Sequence, residues 1–126
     1  MRTLIVLALL GAGAFNFAPT QSCSWAAVTT HVDGTPVVVA GYELAIVSAV
    51  VNLNTAGAVP LAVVQYGPDA WTGLGLAPLL NGRPSGTYRL QARAQSASGV
   101  WSAWSVPFDG VWDVAAPAAP TGLSVK

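Results

Sequence analysis

Charge is scarce in this 126-residue chain. Five basic and five acidic side chains cancel, and charged residues make up 8% of the sequence, against about 25% in ordinary soluble domains. With no basic stripe the chain has no electrostatic footprint for nucleic acid or an acidic membrane surface, and neither is expected as a partner. The single cysteine, Cys23, excludes an internal disulfide. Two places before Trp25 on an expected strand, it shares that residue's face. A buried free thiol is the expected reading, and a reactive or intermolecular thiol the alternative. The single histidine, His31, has Asp33 two residues away. With Cys23 it supplies two of the ligands a standard zinc site needs, and no others stand nearby. There is no G-x-S-x-G elbow and no phosphate-binding glycine loop. Asp33 and Asp69 lack the clustered Asp/Asn run of a calcium loop, and Asp109 and Asp113 read as solubilising charges. The inventory assigns no catalytic residue, no metal and no cofactor, so the chain is expected not to be an enzyme.

Long apolar runs are also missing. Residues 4–15 follow Met1-Arg2-Thr3 with about a dozen apolar positions, short of the about 20 that a membrane-spanning helix requires. That length suits a secretory signal, with Ala12-x-Ala14 as the cleavage point, so residues 1–14 are expected to be removed on export. Stable membrane insertion of the mature protein is not expected. A lipid anchor at Cys23 is disfavoured, because the residues just before it lack the expected Leu. The alternative is an uncleaved apolar arm packed within an assembly.

What is abundant is punctuation. Thirteen glycines and nine prolines break a 53% hydrophobic sequence into short runs with no amphipathic helical period beyond the N-terminus, an all-β pattern. The most regular stretch is residues 87–105, TYRLQARAQSASGVWSAWS. Tyr88, Leu90, Ala92 and Ala94 alternate with Arg89, Gln91, Arg93 and Gln95, one apolar face and one polar. A Ser/Gly turn then leads into a return limb carrying Trp101-Ser102-Ala103-Trp104-Ser105, so two antiparallel strands are expected. Before it, residues 21–28 read as a strand with Cys23 and Trp25 inward, and residues 29–36 as a loop turning at Asp33-Gly34. Within 37–51, Tyr42, Leu44 and Ile46 alternate with Glu43, Ala45 and Val47, consistent with one wetter face. Residues 59–66 read as another strand, 70–80 as a looser one weakened by Gly73 and Gly75. Residues 81–86 read as a turn and 106–114 as a strand. Six or seven short strands at turn-signalled intervals argue a two-sheet β-sandwich.

Cys23-Ser-Trp25, then DGTP, then AGYEL, then SGTYRLQARAQSASGVWS, resembles a fibronectin type III domain of the bacterial kind over about residues 21–114. The resemblance implies an immunoglobulin-like, fibronectin type III sandwich over 15–114. Trp25 would be the core tryptophan of the second strand, Gly41-Tyr42 the start of the third, and Tyr88 the tyrosine of the sixth. Tyr88 would then bond back to the preceding turn, with Leu79 or Leu80 beneath it and Leu90 in the core. The WSxWS motif is similar to that of class I cytokine receptors, which implies a stack of Trp101 and Trp104 with Arg89 and Arg93. The two tryptophans fall on one side if the limb is polyproline II, with about three residues per turn. The arginines would lie roughly 13 Å apart on the neighbouring strand. The stack is either a binding face or a ladder that covers itself, with the second favoured because the arginines are placed to satisfy it.

Residues 115–126 read as a Pro-rich linker and an extended strand, the latter resembling the opening strand of a further domain of the same kind. Thr121, Leu123 and Val125 are therefore candidates for strand donation to another copy. Donation that does not close on itself gives a filament. The expected function is a secreted, extracellular or cell-surface structural subunit whose partner is itself or another protein. The alternatives are a monomeric module binding a glycan or protein through Trp71, Trp101, Trp104 or Trp112, or a phage virion surface protein.

Overall fold

The computed structural model describes residues 15–114 and 119–125. The expected signal segment 1–14 and part of the 115–126 linker lie outside the described residues. In chain order the elements are β1 (Ser22–Cys23), β2 (Val39–Ser48), β3 (Ala62–Tyr66), β4 (Leu74–Gly75), the helical turn α1 (Ala77–Leu80), β5 (Gly86–Ser96) and β6 (Phe108–Trp112). Among the described residues β1 pairs with β4, and the other four strands form an antiparallel sheet in the order β3-β2-β5-β6. The protein is thus mostly β, with two antiparallel sheets.

The alternation in β5 decides what faces the core. Register sets Tyr42 opposite Ala94, Leu44 opposite Ala92, and Ile46 opposite Leu90, so large and small side chains interlock on one face. Cys23, Trp25, Leu74, Leu76, Leu79 and Leu80 pack with that face, all buried. Each fully buried side chain of this size is worth about 1.5–3 kcal/mol relative to exposure. Trp25 stacks against Tyr42 at 5.4 Å between ring centroids, but its Nε1 is buried without a hydrogen-bond partner among the described residues.

Several expectations need correction, among them the strand expected over 21–28, which shrinks to β1 with an isolated backbone bond from Trp25 N–H to Trp71 O. The face of β2 carrying Glu43, Ala45 and Val47 is not wet: these residues are 6%, 0% and 2% exposed. The 49–58 loop folds over it, so that Leu53, Val51 and Ala58 make a second small core with Ala45, Val47 and Trp104. Residues 70–80 do not make one loose strand. β4 ends at Gly75, Pro78 sits in the first turn of α1, where its fixed φ suits a helix, and Leu79 and Leu80 turn into the core. The return limb is not a strand either: apart from a single bridge between Gln95 and Trp101, it holds β5 through the backbone N–H and side-chain hydroxyl of Ser102 and Ser105. The strand expected over 106–114 narrows to β6.

Ahead of β1, Asn16 bridges Val111 in parallel, with Phe17 N–H donating to Val111 O at 2.8 Å and Val111 N–H to Phe15 O at 2.7 Å. The N-terminal segment therefore covers the outer edge of β6. Phe15, Phe17 and Phe108 form an aromatic cluster, with centroids 5.0 to 6.3 Å apart.

Candidate functional site

The 101–105 limb is positioned by β5, and its serines explain how. Ser102 donates its N–H to Ala94 O at 2.8 Å, and its Oγ accepts the Ala94 N–H at 2.9 Å. Ser105 repeats the arrangement on Ala92, at 2.7 and 2.9 Å. Three residues of limb thus match two of strand, and the hydroxyls take the place of backbone carbonyls in the ladder. The same spacing turns Trp101 and Trp104 to one side.

Between them lies the Arg93 guanidinium, 4.2 Å from the Trp101 ring centroid and 4.4 Å from that of Trp104. Such contacts are worth about 0.5–1 kcal/mol each when exposed and about 2 when desolvated. Arg93 also donates to Glu43 Oε1, from Nε at 2.8 Å with Nη2 at 2.7 Å, and Gln65 Nε2 donates to Glu43 Oε2 at 3.1 Å. Glu43 is therefore a buried carboxylate held by one cation and one amide. Asn54 ties the far side of the limb, accepting the Trp104 N–H at 2.8 Å and donating to Trp104 O at 3.0 Å. Gln91 is wholly buried and bonded at Leu53 N–H, Asn52 Oδ1 and Ser105 O.

Arg89 does not join the stack. It makes a two-pronged contact with Asp109 at 2.7 and 3.0 Å and donates Nη1 to Val51 O at 3.0 Å. Those bonds to Asp109 hold its pKa above the ordinary guanidinium value. The structure brings Arg93, Trp101 and Trp104 together and sends Arg89 to the next strand. Trp101 and Trp104 are half-buried, and Trp112 is 8% exposed with its Nε1 bonded to Arg83 O at 3.0 Å. Trp71 is the exposed one of these four, at 36%.

Cys23, Trp25, Tyr42, Tyr88 and Leu90 are all buried. Tyr88 Oη donates to Pro84 O at 2.7 Å, and Tyr42 Oη accepts the Val28 N–H at 3.0 Å. Burial pushes the Cys23 thiol up to about 12, far from the range of a nucleophile. His31 lines an open depression of about 440 Å³ walled by its own loop, where Asp33 accepts from the hydroxyl and N–H of Thr35. Those two bonds lower the pKa of Asp33. Among the described residues there is no cluster of three or more His, Cys, Asp or Glu that could hold a metal ion. No helix among them is long and apolar enough to cross a membrane.

Residues 119–125 belong to no element, and Leu123 and Val125 are each 94% exposed. Glu43, Gln65 and Asn54 were not singled out by sequence reasoning. Glu43 had a signal: a lone acid inside an apolar run needs a buried partner, and the register offers Arg93 directly opposite. Asn54 had none, since its tie to Trp104 spans 50 residues. The chain matches no protein-family model, no curated protein and no solved structure.

Proposed function

We propose that this chain is a non-enzymatic β-sandwich of the fibronectin type III kind that serves as a secreted structural subunit, joining copies of itself through its C-terminal segment. The fold-level reading is supported by the β3-β2-β5-β6 order, the buried Trp25, the bond from Tyr88 to Pro84 and the serine ladder of the WSxWS limb.

The observation that carries the assembly reading is the pair Leu123 and Val125. They alternate along the chain and are almost wholly exposed, so both side chains are available to another surface. A segment of that pattern adds to a sheet edge through backbone bonds, with alternate side chains giving specificity. The competing glycan- or protein-binding reading has less to rest on, because Arg93 occupies the space between Trp101 and Trp104, and Trp112 is buried.

Deleting residues 121–126 tests it. Light scattering on the full chain is expected to show high-mass species that the deletion abolishes, while the tryptophan emission of the folded domain is unchanged. Polymers that survive the deletion sink the proposal. The intact mass of the protein from its native source tests export: loss of residues 1–14 supports it, and a retained Met1 refutes it.

A further inference from the structure

β3 is the edge of the four-stranded sheet opposite the one covered by Asn16 and Phe17. Which of its backbone groups face outward follows from the serine ladder. Ala92 and Ala94 spend theirs on Ser105 and Ser102, so bonds from β5 to β2 run through Gln91 and Arg93 to Ala45 and Glu43. Bonds from β2 to β3 then run through Leu44 and Tyr42 to Val64 and Tyr66. Val63 and Gln65 are left with N–H and C=O turned away from the sheet, and no described residue pairs with them.

The side chains agree with the backbone. Val59, Leu61 and Val63 are 75%, 52% and 36% exposed. Edge strands are ordinarily guarded by Lys, by inward charges or by bulges. Here no charged residue occurs between Glu43 and Asp69, and Pro60 lies just before the strand.

We propose that β3 pairs antiparallel with β3 of a second copy about a two-fold axis through Val63. An uncharged apolar strand meets no like-charge repulsion from its own image, which a charged edge would. The two-fold sets Val63 opposite its symmetry mate and Gln65 opposite Leu61 of the second copy. Three of the four outward groups of Val63 and Gln65 then find complements: each Val63 N–H meets the other Val63 C=O, and each Gln65 N–H meets a Leu61 C=O, leaving the Gln65 C=O to water. The Leu61 N–H, which would otherwise meet that carbonyl, is already bonded to Ile46 O at 2.9 Å. This contact is isologous and closes at two copies, whereas the C-terminal contact is head-to-tail, so the inference stands apart from the proposed function.

The test uses the full chain, Val63→Lys, the deletion of residues 121–126, and both changes together, with mass followed by light scattering from micromolar to millimolar concentration. The deletion is expected to leave a concentration-dependent dimer, and adding Val63→Lys to leave monomer, with at least a tenfold weaker association. A dimer untouched by Val63→Lys, or a deleted chain that is monomeric at millimolar concentration, overturns the inference. A full chain that reaches only a dimer, unchanged by the deletion but lost with Val63→Lys, would refute the C-terminal contact and leave this one standing. Register is read separately by cysteine substitution. Val63→Cys is expected to oxidise to a covalent dimer, with Cα atoms about 5.5 Å apart across the axis. Gln65→Cys, roughly 13 Å from its mate, is expected not to. Equal cross-linking of the two refutes the two-fold register even if the lysine variant unfolds.

Discussion

Phe17 occupies the space that a β-carbon at Gly110 would need. A methyl added there would lie 2.6 Å from Phe17 Cε2 and 2.7 Å from Cζ. The ring is 5% exposed, so it lies in the core rather than over it, and the N-terminal segment is held to β6 by this fit as well as by its two backbone bonds. Gly110→Ala is therefore expected to cost about 1–3 kcal/mol by overpacking, and Phe17→Ala about 3 by leaving a void. In the double variant the new methyl enters the vacated space, so the combined loss falls short of the sum by at least 0.5 kcal/mol, roughly the lower limit for residues in contact. Urea unfolding of the four proteins checks this. Strict additivity would mean that the ring does not lie against Gly110.

The two serines of the limb differ in burial, and their removal should differ accordingly. Ser105 is 3% exposed and its Oγ serves the N–H of Ala92, which is wholly buried. Ser105→Ala leaves that N–H without an acceptor, at a cost of about 1–3 kcal/mol. Ser102 is half-buried, so water replaces its Oγ more readily and Ser102→Ala is expected to cost about 1 kcal/mol or less. Hydrogen exchange locates the effect: the Ala92 and Ala94 amides lose protection in the matching variant. Unchanged protection there would show that the ladder does not depend on the hydroxyls.

Arg93 and Arg89 look equivalent in sequence and should not behave alike. Arg93→Met removes the one cation beside Glu43, whose side chain is 8% exposed, and frees both indoles. Breaking a buried pair costs about 3–5 kcal/mol; with Arg93 itself 27% exposed, about 2–3 is expected here. The near-ultraviolet circular dichroism of the stacked tryptophans should collapse with it. Adding Glu43→Gln should recover most of the stability and none of the stacking signal. Arg89→Met breaks a pair whose acid is 47% exposed, so a loss within about 1 kcal/mol is expected, with the indole signal intact. Equal losses from the two variants would contradict the stacking assignment.

Much of this arrangement was readable from the residues, and the unreadable parts share a cause. Period-2 alternation placed Tyr42, Leu44, Ile46, Tyr88 and Leu90 on the core face because β5 lies in the middle of the sheet, where one face must be dry. The same reasoning misread Gln91 and Glu43 as lying on a wet face. Their burial depends on a loop 38 residues from Gln91 and a limb 50 residues from Asn54, and pattern within one strand carries no information about either. The expected strand over 70–80 failed for a local reason: Pro78 and the Leu79-Leu80 pair suit a helical turn, which leaves β4 to end at Gly75. At the stack, the WSxWS spacing brought out the two tryptophans. Both Arg89 and Arg93 were expected in the stack, and Arg89 is absent because Asp109, on β6, takes it.

Cys23 links burial to a pH dependence whose sign can be worked out. Desolvation raises its folded-state pKa from about 9.0 to about 12, so the folded protein holds the thiol proton where the unfolded chain has lost it. Below pH 9 both states are protonated and the contribution to stability is complete. Above it the unfolded state gains by ionising, and stability declines through the folded pKa at a slope approaching about 1.4 kcal/mol per pH unit. Tyr66 adds to the decline above its ordinary value of 10.0, since desolvation, together with charge on Cys23, raises its pKa as well. Urea unfolding at stepped alkaline pH is expected to show this loss, shallower in Cys23→Ala even though that variant starts less stable. At pH 8 the native thiol should ignore a disulfide reagent that labels it fully in urea. Prompt labelling of the folded protein would show that the side chain is not held inside.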